Sequence, residues 1–171
     1  TVPAYFDDDH RRATITAAEL AGFKVLGLIN EPTAAAIAFG VERSTGSETV
    51  LVYDLGGGTF DATLMRVEGK EIRILSTDGS HQLGGKDFDD ALIRFAVEKF
   101  LQEHGFDPTN DVYTAQEIRK DAEKLKRELS PRSKAFFMLR SQGKTSRIEI
   151  ERTAFEQLIR PKLDTTLTIV K

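Results

Sequence analysis

Residues Asp54-Leu55-Gly56-Gly57-Gly58-Thr59-Phe60-Asp61 carry the densest chemistry in the chain, directly after the apolar run Val50-Leu51-Val52-Tyr53. Three consecutive glycines let the backbone approach a bound group closely, because no Cβ stands in the way. Successive free N–H groups in such a turn form a concavity suited to phosphate oxygens. An aspartate stands at each end and the Thr59 hydroxyl beside the second. The set offers donors for phosphate and carboxylates for a hydrated magnesium ion or an attacking water, which points to a nucleoside triphosphate and its hydrolysis. A bare triple glycine after a strand would read as a tight turn or bulge. Asp54, Thr59 and Asp61 shift that reading, since carboxylates beside a buried apolar strand are costly unless their charge is used. No Gly-Lys-Ser/Thr follows, so this is not a Walker loop. The segment after Asp61 does not read as a helix, so it is not a dinucleotide fingerprint either.

Three further places could serve the same ligand. Glu31 precedes a helix-starting proline in a strand-to-helix turn, where it reads either as a cap or as a site carboxylate. The loop Gly79-Ser80-His81-Gln82-Leu83-Gly84-Gly85 is another, in which Gly84-Gly85 reads either as a turn or as backbone brought close to the same ligand. Glu123, Lys126, Arg127 and Ser130 are spaced i, i+3, i+4 and i+7, so they project together from a helix. That face reads as a solvated charged surface, or as a contact for a planar polar group such as a nucleoside, with arginine stacking on a base.

The elements that must position these residues follow from pattern. Thr1–Phe6 reads as the tail of a strand. Asp7-Asp8-Asp9 and Arg11–Ala21 read as a helix with acids in its first turn, favourable to its dipole, stopped by Gly22. Val25–Ile29 is a short apolar strand, and Asn30-Glu31-Pro32 opens a helix to Gly40. Ser44–Ser47 is a loop. Strands Val50–Tyr53, Thr59–Val67 and Ile72–Thr77, with a turn at Glu68–Glu71, form an antiparallel meander. The glycines thus lie in a β-turn-β, a narrower class than a phosphate loop before a helix. Asp87–Glu103 is an amphipathic helix closed by Gly105 and Pro108. Thr114 and Glu117 make a capping-box pattern for a helix whose apolar face is Ile118, Ala122, Leu125 and Leu129, ending at Ser130-Pro131. Ala135–Leu139 and Arg147–Ile150 pair around Gly143. Thr153 begins a last helix, in which Pro161 starts or kinks a turn.

Bulk properties exclude several classes. The chain has 171 residues, a net charge of −3, no cysteine and three histidines. That charge gives no reason to expect nucleic acid or an anionic membrane, and no apolar stretch is long enough to span a bilayer. Lack of cysteine fits a reducing, cytoplasmic setting. His10, His81 and His104 show no metal-ligand spacing and read as ordinary surface or turn residues. The chain starts at Thr1 and stops inside a helical pattern, so a piece of a longer protein is expected.

Taken together, Thr1–Phe6, Asn30–Ala36, Asp54–Asp61, Leu83–Asp89 and Glu123–Ser130 resemble the ATPase domain of heat-shock protein 70 chaperones of the DnaK type, in the family's order and spacing across nearly the whole chain. The resemblance implies an actin-like, ribonuclease-H-like α/β fold. It implies a crossing segment from the first lobe (1–45), a phosphate-binding subdomain of the second lobe (46–104), an outer α+β subdomain gripped by exchange factors (105–150) and a returning helix (151–171). It implies that Gly56, Gly57, Gly58 and Thr59 hold the β- and γ-phosphates of ATP, with Gly84 and Gly85 lining the cleft. Asp54 and Glu31 would sit near magnesium through its water, and potassium is a further candidate ion. Thr59 and Asp61 would place the attacking water. Glu123, Lys126, Arg127 and Ser130 would hold the adenosine of ATP or ADP. Pro3 and Arg11 would relay nucleotide state to a peptide-binding domain.

By the same resemblance, partners are a J-domain co-chaperone, a nucleotide exchange factor and unfolded client peptides. The family's other phosphate loop and catalytic lysine are expected before Thr1, and its glycine-rich adenine segment after Lys171. Weak ATP binding without turnover is therefore the expectation for these 171 residues alone, with an exposed sheet edge open to dimerisation. The rival readings are another actin-like-fold protein, either a sugar kinase or a filament-forming homologue.

Overall fold

The computed structural model describes residues 1–40, 46–69 and 71–171. The expected loop at Ser44–Ser47 and turn at Glu68–Glu71 lie partly outside the described residues. Two compact units are present: Thr1–Gln82 with Ile169–Lys171, and Leu83–Thr168.

In the first unit, helix α1 (Asp8–Leu20) is opened by Asp7, whose carboxylate accepts the His10 N–H. It stops where Gly22 takes φ +85°, a conformation that favours glycine. Helix α2 (Glu31–Phe39) ends on Gly40 in the left-handed region. Strands β1 (Ser47–Leu55), β2 (Phe60–Glu68) and β3 (Glu71–Ser80) form the antiparallel meander in the order β1-β2-β3. The register pairs Asp54 with Asp61 and Leu55 with Phe60, so Gly56–Thr59 is the four-residue connection of a hairpin. Alternation puts Met65 and Val67 on one face of β2, where they pack with Ala36 of α2 and with Val50, Val52 and Ile72. Asp61, two and four residues along from Thr63 and Met65, belongs to that same face. Asp54, paired with Asp61, falls on that face too.

The second unit holds α3 (Gly85–His104), a 3-10 turn at Pro108–Asn110, α4 (Val112–Leu129), the hairpin β4 (Lys134–Ser141) and β5 (Lys144–Glu151), and α5 (Arg152–Val170). Its core is Phe88, Leu92, Ala96 and Phe100 of α3, the Ile118, Ala122, Leu125 and Leu129 stripe of α4, and Phe137, Leu139, Ile148 and Ile150 of the hairpin. Gln142 and Gly143 both have positive φ, at 47° and 74°, the two-residue turn whose twist matches that of antiparallel strands.

Three expectations are corrected. Val25–Ile29 does not form a strand: the nearest ladder contact among the described residues is the parallel bridge of Val2 with Asn30, just past the run, and Phe23 and Leu26 are exposed. Thr1–Phe6 likewise keeps only that bridge before a turn in which Phe6 N–H donates to the Pro3 carbonyl. An apolar run is held extended only by a neighbouring strand, and the described residues supply one bridge. The capping box at Thr114 and Glu117 does not form either. Asp111 caps α4 three residues earlier, accepting from the Thr114 N–H and hydroxyl, both at 2.7 Å. A carboxylate oxygen at the cap satisfies an otherwise orphaned N–H of the first turn. The last helix runs unbroken through Pro161.

Candidate nucleotide-site residues

In the first unit the glycine loop is closed by one backbone bond, Gly56 N–H to the Thr59 carbonyl at 2.9 Å. Gly57 and Gly58 are exposed, and a Cβ on either would meet nothing within 4 Å. The side of the loop where a Cβ would stand is therefore open at both. On the flanking strands Asp54 is exposed, whereas Asp61 is only 8 % exposed. Asp61 Oδ1 is buried and has no hydrogen-bond partner among the described residues. Burial pushes the Asp61 carboxyl up, the charges of Asp54 and Glu31 push it further, and His81 opposes them. Gly79, paired with Asp61 across β2–β3, makes room for it: a Cβ there would sit 2.8 Å from Asp61 Oδ1 and collide with the Phe60 carbonyl.

Glu31 is the first residue of α2, and its N–H donates to the Val2 carbonyl at 2.8 Å. Asn30 before it makes no side-chain cap. Its Oδ1 instead accepts from Arg11 at 2.8 Å, while Arg11 Nε donates to the Phe6 carbonyl at 2.9 Å. Arg11 therefore ties the Pro3–Phe6 turn to the residue next to Glu31. Tyr5, in that turn, stands with its ring 4.3 Å from His81, edge to face. Burial raises the Tyr5 hydroxyl pKa, and the charges of Asp61 and then Glu31 raise it further. Glu31, Asp54 and Asp61 thus share one electrostatic neighbourhood, joined by Tyr5 and His81.

In the second unit Gly84 and Gly85 open α3. Gly84 N–H donates to the Asp87 carboxylate at 2.9 Å and Asp87 N–H donates back to the Gly84 carbonyl at 3.0 Å. Lys126 of α4 donates to the Gly85 carbonyl at 3.0 Å and lies 2.8 Å from Asp89 Oδ1. Lys162 of α5 pairs with Asp87 at 2.9 Å, and that cation with the amide bonds outweighs burial to hold the Asp87 carboxyl low. Glu123 and Arg127 form an exposed ion pair one turn apart, and Ser130 is the C-cap just past α4, its N–H donating to the Arg127 carbonyl. The structure therefore joins Lys126 to the Gly84–Gly85 turn and Glu123 to Arg127.

Sequence reasoning gave no individual role to Tyr5 or Asp89, whose signals were faint: an aromatic in a turn and an acid in a helix's first turns. Gly79 and His81 lay within the candidate loop Gly79–Gly85, where their contacts with Asp61 and Tyr5 were not legible. His104 is also no ordinary surface residue. Its ring packs near Phe100 and Phe106, and its Nε2 lies 3.0 Å from the Ser146 hydroxyl, which donates to Glu103 at 2.7 Å.

The carboxylates of the first unit are hard oxygen donors, and Asp61 Oδ1 is a buried acceptor with no hydrogen-bond partner among the described residues. That donor set fits magnesium held through its own waters. Among the described residues no three acid or histidine side chains converge tightly enough to chelate a bare ion.

The family model described as Hsp70 protein matches residues 1–171. The chain belongs to this family, whose nucleotide-binding domain has the actin-like ATPase fold. It is 43 % identical over 173 residues to the chaperone protein DnaK of Thermotoga petrophila, covering 97 % of this chain and 29 % of that protein. It is 41 % identical over 177 residues to the mitochondrial-type heat shock protein 70 of Encephalitozoon cuniculi, covering 100 % of this chain and 30 % of that protein. It is 42 % identical over 165 residues to heat shock protein hsp-6 of Caenorhabditis elegans, covering 93 % and 25 %. The chain thus spans less than a third of the length of these relatives. No described helix is long and apolar enough to cross a membrane.

Proposed function

We propose that this chain supplies phosphate-binding and water-positioning residues of a chaperone ATPase. The carrying observation is Asp61: a buried carboxylate with an oxygen unpartnered among the described residues, opposite Asp54 and beside a glycine loop open where a Cβ would stand. A protein retains such a group at a cost, and a function that needs its charge accounts for it. In this reading Gly56, Gly57, Gly58 and Thr59 bind the β- and γ-phosphates of ATP and ADP, and Gly84 and Gly85 contribute backbone. Asp61 and Thr59 orient the attacking water, which is positioning and electrostatics rather than covalent chemistry. Asp54 and Glu31 hold waters of the magnesium ion, whose charge offsets that of the phosphates; potassium is a second candidate ion.

Glu123, Arg127 and Ser130 contact adenosine. Lys126 does so only by sharing its ammonium with Asp89 and Gly85. Pro3 and Arg11 transmit nucleotide state, a role supported by the Arg11 bonds to Phe6 and Asn30. The four-part division of the chain (1–45, 46–104, 105–150, 151–171) belongs to the same proposal. So do a J-domain co-chaperone, an exchange factor on 105–150, client peptides, a cytoplasmic location and pairing through the outer strands of the meander. A sugar kinase or filament reading gains nothing from the family assignment.

The test is single-turnover ATP hydrolysis by the full-length gene product. Asp61→Asn and Thr59→Ala should each slow the step by about a hundredfold while ADP affinity changes little. Unchanged hydrolysis in both variants would overturn the assignment.

A further inference from the structure

Besides Asp61, Asp89 carries a buried carboxylate oxygen that accepts no hydrogen bond among the described residues. Asp89 is the fifth residue of α3, past the four free N–H groups of a helix start, so no backbone amide there needs it as a cap. Its side chain is 18 % exposed, and what stands beside its Oδ1 is a charge, the Lys126 ammonium at 2.8 Å. Lys126 is itself only 23 % exposed. Its directed hydrogen bond goes elsewhere, to the Gly85 carbonyl at 3.0 Å. Gly85 thus fixes where the ammonium sits, and Asp89 offsets its charge at close range.

The neighbouring charges are arranged differently. Asp87 is engaged with Lys162, and Arg127 with Glu123. Lys86 and Lys120, the cations next along α3 and α4, are exposed, where solvent and salt screen them. Lys126 is mostly buried, where charge acts with less screening, and it is there that a carboxylate is placed against it.

An ammonium has three N–H donors. With one on Gly85 and its charge offset by Asp89, Lys126 offers a ligand a hydrogen bond without net positive charge. That suits an uncharged hydroxyl. A phosphate brought out of water needs a cation to itself, and Asp89 would repel it.

We propose that Asp89 determines specificity: by neutralising Lys126 it restricts this part of the site to a nucleoside with free sugar hydroxyls and rejects one phosphorylated on its 2′ or 3′ oxygen. The inference rests on the adenosine-binding reading of α4 and deepens it by naming which sugar is accepted. Asp89 acts through Lys126 and is a positioning residue. A buried ion pair gains little stability over an apolar pair, so stability alone does not account for Asp89. Discrimination through a group that repels the wrong ligand does.

The test is calorimetric titration of the full-length gene product with ADP and with ADP carrying an added phosphate on the 2′ or the 3′ oxygen. The wild-type protein should bind ADP more tightly than either analogue by about tenfold or more. Asp89→Asn keeps the size and an acceptor beside Lys126 but removes the charge. It should narrow that ratio on the order of tenfold for one analogue or both, by tightening the analogue. The charges of Lys86 and Lys120 act in both proteins and cancel in the comparison. Asp164→Asn, which breaks the exposed pair with Arg160, makes the same change in net charge and should leave the ratio as it was. A merely structural role for Asp89 would lower the melting temperature without changing the ratio of two ligands on one folded state. Wild-type protein that binds an analogue as tightly as ADP, an unchanged ratio in Asp89→Asn, or an equal change in Asp164→Asn would overturn the inference and leave the nucleotide reading in place. Wild-type protein that does not bind ADP would overturn that reading and this inference with it.

Discussion

Replacing Asp61 by Asn should stabilise the fold at neutral pH. Asp61 is nearly buried, its Oδ1 lacks a partner among the described residues, and its strand partner across the hairpin is another carboxylate, Asp54. Like charges directly opposite in a sheet cost roughly 0.2–1 kcal/mol. An unsatisfied buried polar group costs roughly 1–3 kcal/mol, more when charged. Asparagine removes the charge and keeps the shape, but it retains a polar group, so only part of the second cost is recovered. The net gain should be about 1 kcal/mol, or about 2–4 °C in melting temperature for a chain of this size.

The sign with pH is fixed by the raised carboxyl. The native state holds that proton more tightly than the unfolded chain does. The stability this gives is complete below the unfolded value, about 3.9, and is lost as pH rises through the raised native value. The advantage of Asp61→Asn is therefore full at pH 7 and gone below about pH 3.9. Urea denaturation of both proteins across that range measures it. A less stable variant at pH 7, or a gain that does not change with pH, would refute the electrostatic reasoning. Stability gained together with hydrolysis lost is the pattern expected where a fold carries strain for function.

The other predictions contrast neighbouring residues. Gly79→Ala should destabilise by about 1–3 kcal/mol, because its Cβ would press on Asp61 Oδ1 and the Phe60 carbonyl. Gly57→Ala, with open space around it, should stay within about 0.5 kcal/mol while weakening phosphate binding; thermal melts and ADP titration separate the two. Lys126→Ala strands the mostly buried Asp89 and should cost about 2 kcal/mol, between the values for exposed and buried pairs. Arg127→Ala breaks only an exposed pair and should cost less than about 0.5 kcal/mol; denaturant midpoints decide. Asp111→Ala should cost about 1 kcal/mol by uncapping α4. Glu117→Ala should cost almost nothing, and the reverse order would restore the capping box that the structure does not show.

Much of the fold was legible because its signals are local. The meander follows from β-branched runs broken by Gly56–Gly58 and Gly69, and α2 follows from Pro32 and Gly40. The α4 stripe follows from spacing alone, and its buried residues are the expected Ile118, Ala122, Leu125 and Leu129. Val25–Ile29 was misread because a strand is completed by another strand, and composition does not say whether one is alongside. The α4 start was misread because Thr114 and Glu117 match a capping pattern, whereas the hydrogen bonds put the cap at Asp111.

For the candidate site, sequence determined which groups are available: a glycine turn able to bring amides to an anion, with carboxylates at fixed offsets along the chain. Those offsets are covalent and survive any folding. Only the tertiary structure decided the state of each group. It buried Asp61 and left Asp54 exposed, although the two are chemically identical and symmetric about the turn. It brought Tyr5 to His81 across most of the first unit, and it joined Lys126 to Gly85 and Asp89. Burial and long-range pairing depend on what packs against a residue, and no residue's own neighbours in the chain contain that information.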